Sequence, residues 1–251
     1  MAIYIKSKRE IDKIKKAGII VAKTLKLIEK EIKPGISLKE IEKICADFIY
    51  SQDAYPAFLG YKGFPSAICI SLNEEVVHGI PDDRKLKEGD VVKIDIGVKK
   101  DGYYADGAKT FICKKVPSPI KKLIEVTEKA LYLGIEEAYE NNPLLAISKK
   151  IQNYVEKNGF SVVRELCGHG IGLQLHEDPI VPNYYFPQMN GLILKTGMTL
   201  AIEPMVNLGT EKVITKENGW TVVTADNSCS AHFEHTILVS KNKAEILTIN
   251  E

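Results

Sequence analysis

The sequence predicts an α+β fold made of two related halves, each with two helices followed by a mostly antiparallel sheet. Three observations carry that expectation. Apolar residues recur at helical spacing in two pairs of segments, and each pair is followed by short β-type runs. A ten-residue pattern in the first half also returns in the second. Leu86-Lys87-Glu88-Gly89 leads through four residues to Ile94-Asp95, and Leu194-Lys195-Thr196-Gly197 leads through four to Ile202-Glu203. His78-Gly79-Ile80 is likewise echoed by His169-Gly170-Ile171. The chain of 251 residues reads as one catalytic domain over 1–251, with halves of about 7–116 and 117–251 related by a pseudo-twofold.

The first helix opens on a capping box, Ser7 with Glu10, and carries Ile11, Ile14, Gly18, Val21, Leu25, Ile28 and Ile32 on one face until Pro34-Gly35. A second box, Ser37 with Glu40, starts a helix whose stripe is Ile41, Ile44, Cys45, Phe48 and Ile49. Strands are expected at 67–71, 75–78, 91–98 and 103–113. Ser118-Pro119 reads as an N-cap followed by proline at the first helical position, opening a helix that Asn141-Asn142-Pro143 ends. A shorter helix over 147–157 stops at Asn158-Gly159. Strand-like runs follow at 161–165, 198–206, 221–225, 234–240 and 244–248.

Composition removes several classes of function. With 34 basic and 33 acidic side chains the formal charge is +1, so no net field draws the chain to nucleic acid or an anionic membrane. Only Arg9, Arg84 and Arg164 are arginines, which is poor material for bidentate phosphate recognition. No phosphate-loop or aromatic RNA-binding motif is present. The five cysteines include no C-x-x-C pair, which disfavours a disulfide framework or a thiolate zinc site. Charged residues follow Met1–Ile5 at once, without a signal-peptide apolar run, and no stretch is long enough to span a bilayer. A cytoplasmic protein is expected. Lys13, Lys15 and Lys16 put charge along the first helix; a solvated lysine face is favoured there over a transient ribosome contact.

Polar residues inside apolar strand-like runs point to chemistry, because an unpaired buried charge is costly. Asp95 lies within Val91–Val98, and Asp106 follows the turn signal Asp101-Gly102. A four-residue loop would set the two acids directly opposite one another, and a two-residue loop would set them diagonally on the same face. Either way the pair needs a cation or a proton between them. Glu203 and Glu234 repeat the situation, with no lysine in their immediate neighbourhood. His169 sits among glycines in Cys167-Gly168-His169-Gly170-Ile171-Gly172. Oxygen-rich ligation with one imidazole suits a hard or borderline divalent ion, or a pair, rather than a structural zinc. The residues alone lead to a dinuclear metallohydrolase.

At these residues the chain resembles the type I methionine aminopeptidases of the pita-bread metallopeptidases. The resemblance runs from Ser7 to the C-terminus. It rests on 73–81 (Asn73 to Pro81), Asp95 and Asp106 with ten residues between them, 167–172, Ile202-Glu203-Pro204-Met205 and Glu234-His235-Thr236. It implies a pita-bread fold and an enzyme that removes the initiator methionine from nascent proteins whose second residue is small. Asp95, Asp106, His169, Glu203 and Glu234 would bind two divalent ions (Co, Mn, Fe or Zn), with Asp106 and Glu234 bridging them. A metal-bridging hydroxide would attack the scissile carbonyl. Glu203 would shuttle its proton, His176 would stabilise the oxyanion, and His78 would contact the scissile amide. Phe58, Tyr61, Phe64, Leu175 and Trp220 would line the methionine pocket.

Phe58, Phe64 and Leu175 replace a cysteine, a tyrosine and a phenylalanine frequent among family members, yet all stay apolar. His232 stands where better-known members have a neutral polar residue, and at most an outer role is expected of it. The interval from His176 to Glu203 is too short for the helical insertion of type II enzymes. The large N-terminal domain of proline-specific relatives is not expected, nor is a Cys/His zinc-binding extension. All five ligand positions are intact, which disfavours an inactive relative used as a binding protein. The resemblance also implies N-terminal Met peptides and nascent chains as partners, a monomer, and processing of the enzyme's own Met1-Ala2 start.

Overall fold

The computed structural model describes residues 3–249; Met1 and Ala2, on which the expectation of self-processing falls, lie outside them. Serine–glutamate caps start the first two helices. Before α1 (Lys8–Glu29), the backbone N–H and hydroxyl of Ser7 donate to the Glu10 carboxylate at 2.8 and 2.7 Å. Before α2 (Leu38–Ser51), Ser37 makes the same two bonds to Glu40, whose own N–H donates back to Ser37 Oγ at 3.2 Å. The apolar stripe of α1 packs Ile14, Val21 and Ile28 into the same core as Ile94, Ile96 and Val98.

That core covers one face of the first sheet. β1 (Tyr55–Pro56), β2 (Cys69–Leu72), β3 (Glu75–Val77), β4 (Val91–Lys100) and β5 (Tyr103–Ile112) follow α2. β4 pairs with β5 along one edge and with β2 and β1 along the other, all antiparallel. Asp101 and Gly102 form the tight turn between β4 and β5, with φ of 51° and 83°, as a two-residue hairpin requires. Lys100 therefore faces Tyr103, Asp95 faces Ala108, and Asp106 faces Gly97. The turn selects the diagonal of the two registers open from the sequence.

The second half repeats the order: α3 (Ser118–Glu136), α4 (Leu144–Lys157), then sheet. Its strands are β6 (Ser161–Val162), β7 (Cys167–Gly170), β8 (Glu177–Pro182), β9 (Thr199–Ile202), β10 (Met205–Asn207), β11 (Val213–Thr215), β12 (Val222–Thr224), β13 (Ser230–His232), β14 (His235–Leu238) and β15 (Glu245–Ile246). A five-stranded antiparallel sheet runs β15-β14-β9-β7-β8. Two three-stranded sheets, β13-β10-β6 and β11-β12-β3, complete the framework, and the latter joins the halves through β3 and β12. The expected α+β architecture of helices and antiparallel sheet is the one observed.

Local departures have local causes. Pro117 is the N-cap of α3, so Ser118 lies inside the helix rather than before it. α4 begins at Leu144, directly after Pro143 and three residues ahead of the expected start. The expected strand over 198–206 is two strands, because Pro204 has no N–H for the ladder and Glu203-Pro204 separates β9 from β10.

The halves also meet where β5 passes the entry to β14. Glu234 N–H donates to the Ala108 carbonyl at 2.9 Å, and Thr236 Oγ1 donates to the Asp106 carbonyl at 2.8 Å. Gly107 lets this happen, since a Cβ there would sit 3.1 Å from Val21 and 3.4 Å from the Glu234 carbonyl oxygen. Lys15 pairs with Glu245 and Lys16 with Asp101, while Lys13 lies over the Tyr103 ring. These lysines thus sit against neighbouring side chains of the same chain.

The Glu10 cap titrates with a definite sign. Its carboxyl is held down to about 2 by the Ser7 hydroxyl, then the Ser7 N–H, with the Tyr4 and Tyr103 hydroxyls adding to them. A folded-state pKa below the usual 4.5 gives stability that is present above that value and is lost as pH falls toward 2. Glu10→Gln should lower the melting temperature at pH 7, by an amount corresponding to about 1 kcal/mol. The deficit should shrink steadily between pH 5 and pH 2, where thermal melts of both proteins are to be compared.

Candidate metal centre and substrate cavity

Three strands and two breaks between strands deliver one side chain each to the seam between the halves. Asp95 lies in the middle of β4, Asp106 in β5, and His169 in β7. Glu203 stands where Pro204 breaks the strand, and Glu234 between β13 and β14. Ligating atoms of Asp106, His169 and Glu234 lie within 4.8 Å of one another. His169 Nε2 is 3.6 Å from Asp106 Oδ2 and 3.5 Å from Glu203 Oε1. Asp95 lies close enough to Asp106 for their charges to interact, and all four acids line one cavity. The side chains expected to converge do so.

The backbone prepares the imidazole. His169 Nδ1 lies 2.9 Å from the Gly170 carbonyl oxygen, which can only accept, so Nδ1 carries the proton and the Nε2 lone pair points to the acids. Glycine is required on both sides: a Cβ at 168 or 170 would come within 2.3 Å of the Ala201 or Asp178 carbonyl oxygen.

Among the described residues none of these acids pairs with lysine or arginine; their only ion-pair partners are histidines. Burial raises the carboxyl pKa values of Asp95, Glu203 and Glu234 well above the ordinary range, and the neighbouring acids raise them further. Asp106 is raised by burial too, with His169, Glu234 and Thr236 opposing. Asp95 Oδ1 is buried without any hydrogen-bond partner. An orphaned oxygen, crowded acids and one free imidazole lone pair form a donor set that fits divalent metal.

A cavity of about 280 Å³ opens over the acids. Its apolar wall is Phe58, Tyr61, Phe64 and Trp220, with Phe64 edge-on to Trp220 at 5.2 Å. His78 and His176 face the same space. His78 has a left-handed backbone (φ 57°), and Gly79 follows because a Cβ there would lie 2.1 Å from the Ile70 carbonyl oxygen. The Tyr61 loop is pinned by Tyr61 N–H to the Phe58 carbonyl at 3.0 Å and Phe64 N–H to the Tyr61 carbonyl at 2.9 Å. Burial lowers the pKa of His78, and burial with His169, Lys62 and His78 pushes His176 down to about 3.

Leu175, 1% exposed, packs in one apolar cluster with Phe58, Phe64, Tyr61 and Trp220. Cys69 and Lys62 line the cavity in addition to the residues expected there. Cys69 lies opposite Asp95 in the β2–β4 register, so the sequence signal was its place in the strand expected over 67–71. Burial, then the charges of Asp95 and Glu234, raise its pKa and keep it a thiol. Lys62 had no comparable signal. His232, buried beyond the acids, holds Nε2 at 3.8 Å from Glu203 Oε2 and outside the cavity lining, an outer position as expected.

Residues 12–241 match the model of metallopeptidase family M24. The chain is 54% identical over 237 residues to a methionine aminopeptidase of Borreliella burgdorferi, covering 94% of each chain. It is 51% identical over 246 residues to methionine aminopeptidase 1 of Bacillus subtilis, covering 98% of this chain and 99% of that one. The crystal structure of a Thermotoga maritima methionine aminopeptidase superposes with a TM-score of 0.97 at 46% identity, covering 99% of this chain and all (100%) of the other. A Pyrococcus furiosus prolidase shares the fold at a TM-score of 0.78 and 24% identity, with 66% of its own length covered.

The crowding of acids makes a thermal prediction. Asp95→Asn should raise the melting temperature of chelator-treated protein, by an amount corresponding to about 1 kcal/mol, by removing one repelling charge. The same change should abolish the further rise that Mn or Co gives the unaltered protein. Scanning fluorimetry with and without metal checks both signs.

Proposed function

The chain belongs to metallopeptidase family M24 and is a metal-dependent aminopeptidase that removes initiator methionine, and we propose that Asp95, Asp106, His169, Glu203 and Glu234 hold two divalent ions for that reaction. The observation that carries the assignment is the acid cluster, unneutralised by any lysine or arginine among the described residues, at the base of an apolar cavity. Asp106 and Glu234, whose ligand atoms lie within 4.8 Å of each other and of His169, would hold the ions together with the other three residues. Cobalt, manganese, iron and zinc all suit the donor set. When bound, the ions polarise the scissile carbonyl and supply a water of lowered pKa.

The side chains divide the remaining work. Glu203 takes a proton from the attacking water and returns it to the leaving amine. His176 donates to the carbonyl oxygen as negative charge develops on it, and His78 hydrogen-bonds at the scissile amide. The methionine side chain lies against Phe58, Tyr61, Phe64 and Trp220, where a flexible thioether gains contact with aromatic edges. Leu175, packed in the same apolar cluster, completes that wall. The substrates on this reading are N-terminal Met peptides and nascent chains with a small second residue. The reading places the enzyme in the cytoplasm as a monomer. No helix among the described residues is long and apolar enough to cross a membrane.

Met-Ala- peptides should be cleaved, Met-Lys- peptides spared and Xaa-Pro- peptides ignored. Chelation should stop turnover and metal add-back restore it. Glu203→Gln should lower kcat at least about 10³-fold while circular dichroism and the melting curve stay native. Preference for Xaa-Pro- peptides would turn the reading to a proline-specific peptidase, and absence of turnover with every metal would turn it to an inactive relative.

A further inference from the structure

Tyr61 does more than form the wall of the cavity. Its hydroxyl lies 2.9 Å from His176 Nδ1, and the two rings stack with centroids 5.1 Å apart and planes 21° from parallel. On the other side of the imidazole stands the His169 ring, with centroids 4.2 Å apart. His176 is thus held between two rings, and one of its nitrogens is occupied by a phenol. Among the described residues Tyr61 Oη makes no other hydrogen bond, and His176 Nε2 makes none.

Two arrangements satisfy that contact. If Nδ1–H donates to the phenol oxygen, Nε2 presents a bare lone pair to the cavity and the Tyr61 proton has no protein acceptor. If Tyr61 donates to Nδ1, the ring proton resides on Nε2, and the cavity gains a donor. A carbonyl oxygen acquiring charge needs a donor, and a lone pair would repel it. The loop that carries Tyr61 is built to keep the phenol in place. Gly60, Lys62 and Gly63 all have positive φ (79°, 49° and 89°), and Gly60 N–H donates to the Phe64 carbonyl at 2.8 Å. Lysine in a left-handed conformation carries strain, which persists only where surrounding bonds determine the turn.

We propose that Tyr61 is a positioning residue that, by donating its hydroxyl proton to Nδ1, fixes His176 as the Nε2–H tautomer aimed at the substrate carbonyl. The inference rests on the role given to His176 above. It adds what determines the direction of that hydrogen bond.

The test reads the tautomer directly. In zinc-loaded enzyme labelled with ¹⁵N in its histidines, two-bond ¹H–¹⁵N spectra separate protonated from bare ring nitrogens, and His176→Ala identifies the resonances. The unaltered enzyme should show Nε2 protonated and Nδ1 bare at His176, and Tyr61→Phe, which keeps the stacked ring, should show a mixture. With Met-Ala- peptides, Tyr61→Phe should lower kcat about fivefold to tenfold and leave KM within about twofold. The double variant Tyr61→Phe/His176→Ala should be no slower than His176→Ala alone. A bare Nε2 in the unaltered enzyme, or independent and multiplicative losses in the double variant, would overturn the proposal. Those outcomes leave cleavage by the unaltered enzyme intact. Failure of the aminopeptidase reading would instead appear as no turnover by any form, whatever the spectra show.

Discussion

Like charges that must share a dry site constrain this molecule more than any other interaction. Asp95, Asp106, Glu203 and Glu234 converge where burial and mutual repulsion both penalise ionisation. No lysine or arginine among the described residues pairs with them, and the His169 imidazole in their midst offers a lone pair. A protein seeking only stability would have placed apolar residues there. The arrangement suits a cation supplied from outside the chain, which would offset the repulsion that weakens the empty fold.

The rest of the architecture exists to hold those acids at fixed distances. Each helical pair covers a sheet whose opposite face carries the acids, so the cores in the two halves are rigid backing for the seam. The seam itself is closed by backbone and hydroxyl bonds between Ala108 and Glu234 and between Asp106 and Thr236. Glycines appear where backbones must touch, at 107, 168 and 170 beside Asp106 and His169 and at 79 beside His78. Pro204 ends a strand immediately after Glu203, which frees that carboxylate from the alternation of the ladder.

Much of this was legible in the sequence because the signals were chemical conflicts. An aspartate within Val91–Val98 and a histidine flanked by glycines are poor choices for a mere core, and both proved to face the cavity. Serine–glutamate spacing gave the first two helix starts for the same reason: the cap bonds are local. What escaped the sequence depended on longer-range geometry. The hairpin register stayed open until the turn was seen to use two left-handed residues. Cys69 is apolar in character, and only the direction of the chain brings it to the cavity lining. Lys62 depends on a strained loop whose conformation no short pattern announces.

The central claim is that the acids are an ion site and not a structural cluster. Calorimetric titration of chelator-treated protein with manganese or cobalt addresses it most directly. The account predicts two ions per chain, with proton release as the raised carboxyls ionise, and loss of both binding events in Asp106→Ala. No binding to the unaltered chain, or undiminished binding to Asp106→Ala, would contradict it.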